Sequence, residues 1–213
     1  MTASHSRPLL YLITDRRTLP HEKSNSRLPD LIDYIRRAVA SEIDMVQIRE
    51  RDLSARDLLT VADAATAAAE PDSNTIILIN DRADVAACAG AGVHLTTRSM
   101  TADVVRRAYG SSMPIGVSTH SLEEAQEAEQ KGADFVVFGP VFETESKRVY
   151  GPPVGTKALG EVAARVGIPV LALGGINMSN FREPLDCGAA GIAGISLFAK
   201  AEDLSSLVRA IKS

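Results

Sequence analysis

The chain is 213 residues long, 45% apolar and 23% charged, with a formal net charge of −4 at neutral pH. That length suits one domain, or one α/β barrel near the lower size limit of that fold, and leaves enough apolar material for a sizeable core. Charges of mixed sign, with no basic patch carrying interleaved aromatics, argue against a nucleic-acid protein, although local basic residues can still hold an anionic ligand.

Taken in order, the chain alternates between two periods. Residues 9–14 read as a strand, and residues 16–29 as a long polar loop with two prolines, either a lid or a plain surface loop. Helical spacing follows over 31–40, then an alternating strand over 45–49. Ser54 is placed to N-cap an alanine-rich helix over 55–70 that Pro71 ends. Residues 75–79 are continuously apolar, as in a strand buried on both faces. A helix over 82–89 stops at Gly90, a short strand covers 92–95, and Thr101 caps a helix over 102–109. The second half repeats the scheme. A strand covers 114–118, and Ser121 and Glu124 form a capping box for a helix that runs to Lys131 and stops at Gly132. Strands over 135–141, 168–173 and 191–196 alternate with helices over 156–166, 178–187 and 203–212.

Eight β-then-α units with no run of consecutive strands predict a parallel sheet with helices outside. Eight units favour a single (β/α)8 TIM barrel over residues 1–213, rather than an open doubly wound sheet. Residues 1–8 lack the apolar stretch of a secretory signal. No apolar run reaches the roughly 18 residues that span a bilayer. Cys88 and Cys187 lie among small residues without zinc spacing. Both are expected as buried free thiols, in agreement with a reducing, cytoplasmic setting and no membrane partner.

Polar residues cluster at the carboxyl ends of the predicted strands, which is where barrel enzymes place their chemistry. Thr14 and Asp15 follow the first strand. Gln47, Arg49 and Arg51 alternate at the end of the second and share one face. Arg49 offers a fork for phosphate oxygens, or the two arginines form salt bridges to Glu50, Asp52 or the next loop. Asn80 and Asp81 end an apolar strand abruptly, as a ligand or metal site or as a helix cap. His94 on the fourth strand reads as structural. Ser118 and His120 end the fifth; a histidine there can transfer protons near neutral pH or can simply pack at a helix start. Thr144, Ser146 and Lys147 bring two hydroxyls and an ammonium together within four residues, in a phosphate site or a solvated loop. Gly174 and Gly175 after the seventh strand, with Ser196 after the eighth, occupy the usual phosphate position of barrels, although tight turns need glycine too.

As a collinear set these residues resemble one family. Tyr-Leu-Ile-Thr-Asp at 11–15, Gln-Ile-Arg-Glu-Arg at 47–51, Asn-Asp-Arg-Ala-Asp at 80–84 and Gly-Val-His-Leu at 92–95 carry the first half. Gly-Val-Ser-Thr-His-Ser at 116–121, the string 138–147 and Ala-Leu-Gly-Gly-Ile at 172–176 carry the second. The whole is similar to the thiamine phosphate synthase/TenI family. The resemblance implies a (β/α)8 barrel in which Gln47, Arg49, Asn80, Thr144, Ser146 and Lys147 surround a pyrimidine diphosphate. It also implies that Gly175, Ile195 and Ser196, next to Gly174, hold a thiazole phosphate. Synthase members couple an aminopyrimidine methyl diphosphate to a thiazole phosphate and release diphosphate, with Mg²⁺ neutralising the leaving group. Family members often pair, so a homodimer is a further expectation.

The chain departs from the synthase pattern at two places. Where synthases follow the His-Leu of strand four with Gly-Gln-x-Asp, this chain has Thr96-Thr97-Arg98-Ser99. Only Asp81 remains of the implied metal pair, and a hydroxyl does not replace a carboxylate on a hard divalent ion. Arg51 stands where synthases mostly carry Lys, and Arg is the bulkier, forked cation. Both departures look like the TenI branch, whose members act as thiazole tautomerases. There the residue matching His120 moves the proton that aromatises a thiazole phosphate carboxylate. The resemblance therefore implies a tautomerase first and a synthase as the alternative. A non-catalytic thiazole phosphate-binding protein is a second alternative. Another phosphate-binding barrel, such as a sugar isomerase, accounts for the fold but not for the Thr144–Lys147 set.

Overall fold

The computed structural model describes residues 7–19, 28–69, 73–144 and 152–213. Eight parallel strands close into a barrel in chain order: β1 (Leu9–Ile13), β2 (Met45–Ile48), β3 (Ile76–Asn80), β4 (Gly92–Thr96), β5 (Ile115–Thr119), β6 (Phe135–Phe138), β7 (Val170–Leu173) and β8 (Gly191–Gly194). β8 pairs back onto β1 through Leu9–Gly191 and Tyr11–Ala193. The helices α1 (Leu28–Ala40), α2 (Ala55–Ala69), α3 (Ala83–Cys88), α4 (Ala102–Tyr109), α5 (Leu122–Gln130), α6 (Gly155–Arg165), α7 (Arg182–Asp186), α8 (Ser196–Ala199) and α9 (Leu204–Lys212) follow their strands. The chain is thus one TIM barrel, as the alternating periods predict. Among the described residues, no helix is long and apolar enough to cross a membrane.

The core has two shells because a barrel strand is buried on both sides. Outward residues such as Leu12, Val46, Ile79 and Val93 pack against the helices in one large cluster. Inward residues alternate with them: Tyr11, Met45, Leu78, Phe135, Leu171 and Ala193 fill the interior. The floor is locked by Asp44. One of its carboxylate oxygens accepts from the N–H of Leu10 at 2.8 Å and the carboxylate pairs with Lys212 of α9 at 2.9 Å, so the last helix is tied to the first strand.

Element boundaries differ from the sequence reading where side chains compete with the backbone. α1 begins at Leu28, not Leu31, and takes in Pro29 in its first turn, where a missing N–H is harmless. The other part of the expected 16–29 loop holds a 3₁₀ turn over Arg16–Thr18, capped by the Asp15 side chain; residues 20–27 lie outside the described residues. α7 starts at Arg182 rather than Met178. Asn177 Oδ1 accepts from the Ser179 N–H at 2.8 Å and Asn180 Oδ1 from the Asn177 N–H at 2.8 Å, which spends the first residues on side-chain turns. β8 ends at Gly194, so Ser196 opens a four-residue helix instead of closing a strand. The cysteines correct a second expectation. Cys88 is exposed and Cys187 only half-buried, because α3 turns Ala83, Val85 and Ala86 to the core and leaves Cys88 on its outer side.

Candidate active site at the barrel mouth

Inward-facing residues become polar toward the carboxyl ends of the strands. Gln47 pairs in register with Leu78, Asn80 with His94 and Thr96 with Ser118, so one polar layer crosses β2 to β5. Gln47 is buried, and its amide donates to Asn80 Oδ1 at 2.9 Å. Asn80 is half-buried at the rim. This pair keeps the remaining amide donors and acceptors in one orientation at the mouth.

Below them lies a buried hub. The Tyr11 hydroxyl meets His94 Nδ1 at 3.0 Å, and His94 Nε2 meets Ser118 Oγ at 2.8 Å. The rings of Tyr11, His94 and Phe135 pack at centroid distances of 5.6 to 6.2 Å. Burial, and secondarily the charge of Arg49, push the His94 imidazole down to about 3, while burial pushes the Tyr11 phenol well up. His94 is therefore neutral. Its single ring proton means that one of Tyr11 and Ser118 donates to it and the other accepts. The structural role expected for His94 is what its surroundings require, and it orients Ser118.

The two positions at the end of β1 serve the scaffold. Thr14 is buried and donates to Glu50 Oε1 at 2.8 Å, and its hydroxyl accepts from the Arg49 N–H at 3.0 Å. Arg16 binds Glu50 and Asp52 at 2.8 Å each. Asp15 pairs with Arg17, whose hydrogen bond holds the Asp15 carboxyl below its usual range. Since Arg16 takes both carboxylates, the salt-bridge alternative for Arg49 and Arg51 is not met among the described residues. Arg49 is half-buried; desolvation, then the neighbouring Arg51, lowers its pKa, so its guanidinium gains from any anion placed at the mouth. Arg51 lies beyond the end of β2, in a turn, and is exposed.

Asp81 has φ 56°, a left-handed conformation that Asp tolerates better than most residues, and its N–H donates to the His94 carbonyl at 2.9 Å. It does not cap α3, whose N-cap is Arg82; its carboxylate lines a cleft with Asn80, Arg51 and Arg98. Ser99 does not stand in for a second acid. Its Oγ accepts from the Thr96 N–H at 2.8 Å and shares a 2.9 Å bond with the Thr96 hydroxyl, which closes the loop after β4. Among the described residues no three His, Cys, Asp or Glu side chains converge as a metal site.

Across the mouth, the capping box of α5 forms with one changed arm. Ser121 Oγ accepts from the Glu124 N–H at 3.2 Å, but Glu124 Oε2 reaches the N–H of His120, at 2.6 Å, not that of Ser121. His120 Nδ1 donates to the Gly139 carbonyl, which can only accept. In the neutral ring this leaves Nε2 as the basic nitrogen. Thr144 is half-buried after the β6 loop; Ser146 and Lys147 lie outside the described residues.

Gly174 and Gly175 have φ of 105° and 68°. A Cβ on Gly174 would lie 2.6 Å from Pro140, and one on Gly175 2.5 Å from the Glu143 carbonyl oxygen. Both glycines are thus demanded by the tight packing of the β7 loop on the β6 loop, whatever else the loop binds. Ile195 and Ser196 lie at the turn from β8, the strand paired with β7, into α8.

A closed barrel with amides, arginines and a histidine at the carboxyl ends of its strands has the architecture of the barrel enzymes, which set their chemistry there. Comparison with known proteins narrows this. A family model described as thiamine monophosphate synthase (TMP-TENI) matches residues 10–198. A putative thiamine-phosphate synthase of Geobacter sulfurreducens is 44% identical over 95% of this chain and 92% of its own. A thiamine-phosphate synthase of Chlorobium phaeovibrioides is 39% identical over 93% and 90%. The solved thiamine phosphate pyrophosphorylase from Pyrococcus furiosus superposes with a TM-score of 0.81 at 33% identity, covering 95% of this chain and 93% of that one. The chain belongs to the thiamine monophosphate synthase/TenI family and is an enzyme of that family.

Sequence reasoning gave no role to two residues at this mouth, Arg16 and Arg98. It named Glu50 as a salt-bridge partner of Arg49 or Arg51, whereas Arg16 is the arginine that holds it. Arg98 was visible only as part of a departure from a motif.

Proposed function

We propose that this enzyme couples an aminopyrimidine methyl diphosphate to a thiazole phosphate, releasing diphosphate and forming thiamine phosphate. The observation that carries this is the pyrimidine-side set: Gln47 locked to Asn80, with a half-buried Arg49 that has no ion pair among the described residues. The departures at Ser99 and Arg51 put a tautomerase first. That order is reversed here, because full-length relatives at 39% and 36% identity are named thiamine-phosphate synthases.

In this reading Gln47 and Asn80 hold the polar edge of the pyrimidine, and Ser118, held by neutral His94, completes the ring's contacts. Arg49, with Thr144, Ser146 and Lys147, stabilises charge as it gathers on the departing diphosphate. Gly174, Gly175, Ile195 and Ser196 seat the thiazole phosphate. The test is incubation of the pure protein with both substrates, following thiamine phosphate and diphosphate together. Stoichiometric appearance of the two supports the coupling; no thiamine phosphate, with or without Mg²⁺, overturns it.

A tautomerase reading has its own specific support in His120, whose Nδ1 hydrogen bond leaves Nε2 as a base at the mouth. Aromatic thiazole phosphate formed from the carboxylate tautomer, and lost in His120→Asn, would establish that activity. Equal rates in the two proteins would remove it.

A further inference from the structure

The loops after β2, β3 and β4 enclose a cleft of about 410 Å³ whose charged lining is Glu50, Arg51, Asp81, Arg82 and Arg98. Two of these charges are already engaged: Glu50 by Arg16 at 2.8 Å and Arg82 by Asp84 at 2.7 Å. Among the described residues the guanidinium groups of Arg51 and Arg98 have no ion pair, and Asp81 is the one remaining acid of the lining. Arg49 adds a further positive charge beside Arg51. The cleft therefore carries an excess of positive charge next to Asn80.

Mg²⁺ does not fit the donors present. The ion is usually held by one or two carboxylates with substrate phosphates and waters completing an octahedron, and here Arg51, Arg82 and Arg98 surround a single free carboxylate and oppose a second cation. Among the described residues that line the cleft, Asp81 supplies the one carboxylate not already paired, and the Ser99 hydroxyl is committed to Thr96. Arg98 stands one residue from Ser99 and faces the same cleft.

We propose that this cleft binds a diphosphate group without a metal, with Arg51 and Arg98 supplying the neutralisation. Guanidinium forks match phosphate oxygens in pairs and stay charged at every relevant pH. The inference rests on the synthase reading only for the role of that anion as leaving group. In that step the bond between the pyrimidine methylene carbon and the diphosphate oxygen breaks, with its electron pair going to the oxygen. The thiazole nitrogen lone pair then forms the new C–N bond. The two arginines stabilise the charge gained by the diphosphate.

The experiment is calorimetric titration of the whole protein with inorganic diphosphate, in EDTA and again in Mg²⁺. Binding in EDTA is expected, weakened roughly tenfold or more by either Arg98→Ala or Arg51→Ala. Asp81→Asn gives a test of opposite sign, and Asn keeps the left-handed backbone accessible. It tightens binding if arginines do the work, because it removes a like charge, and weakens binding if Asp81 holds a metal. Binding that requires Mg²⁺, or that is unchanged in Arg98→Ala, overturns the inference. Coupling that proceeds only with Mg²⁺ would do so while leaving the synthase reading in place. Arginine-dependent binding in EDTA without coupling would overturn the synthase reading and leave this one.

Discussion

The barrel interior and the cleft at its rim treat polar groups in opposite ways. Inside, the Tyr11 hydroxyl, both nitrogens of His94 and the Ser118 hydroxyl form a closed set, and burial keeps both titratable rings neutral. At the rim, Arg51 and Arg98 face a cleft with a single uncommitted acid. A buried group must find its partner within the fold or cost stability, whereas a solvated guanidinium can wait for a ligand. Polar residues that complete one another read as scaffold, and those left unmatched beside a cavity read as binding capacity.

That contrast can be broken at graded cost. His94→Ala leaves a cavity and strips partners from Tyr11 and Ser118; a loss of about 3 kcal/mol is expected in urea unfolding. A loss below about 1 kcal/mol would mean that the hub is not a closed unit. Glu50→Gln removes the charge that Arg16 and Thr14 share and should cost about 2 kcal/mol by the same measurement.

The pH dependence of stability follows from the hub as well. The folded-state pKa of His94, about 3, lies below its ordinary 6.5. The unfolded chain thus takes up the proton first as pH falls. The contribution of His94 is complete above about pH 6.5 and is lost from there toward pH 3, at up to about 1.4 kcal/mol per pH unit. Comparing wild type with His94→Gln by denaturant midpoint between pH 7 and 5 should show the flatter profile in the variant; parallel profiles would contradict a neutral buried His94. Ser121→Ala, which removes one N-cap, should cost about 1 kcal/mol. Smallest of all, Arg51→Ala and Arg98→Ala should each move stability by less than about 0.5 kcal/mol, since neither side chain is tied into the fold. A larger loss in either would turn a rim arginine into scaffold.

Much of the site was legible because strand ends announce themselves. Asn80 and Ser118 follow apolar residues directly and His120 comes two residues later, and the barrel brings all three to the carboxyl ends of its strands. The Ser121–Glu124 capping box was legible too, although its acidic arm reaches the N–H of His120. What misled was local context. Small neighbours suggested that Cys88 was buried, but burial depends on which side of α3 faces the barrel. The polar Thr14 and Asp15 looked like ligand groups until the loop bearing Glu50 and Asp52 was seen to lie against them.

The sequence by itself determined the alternation of strand and helix, the count of eight and the family, because periodicity and collinear motifs are properties of the chain. Only the tertiary structure decided which charges are spent. Glu50 meets Arg16 across 34 positions, His94 meets Tyr11 across 83, and Ser99 turns back on Thr96. Hydrogen bonding and desolvation act through distance in space, and the closing of the barrel sets those distances.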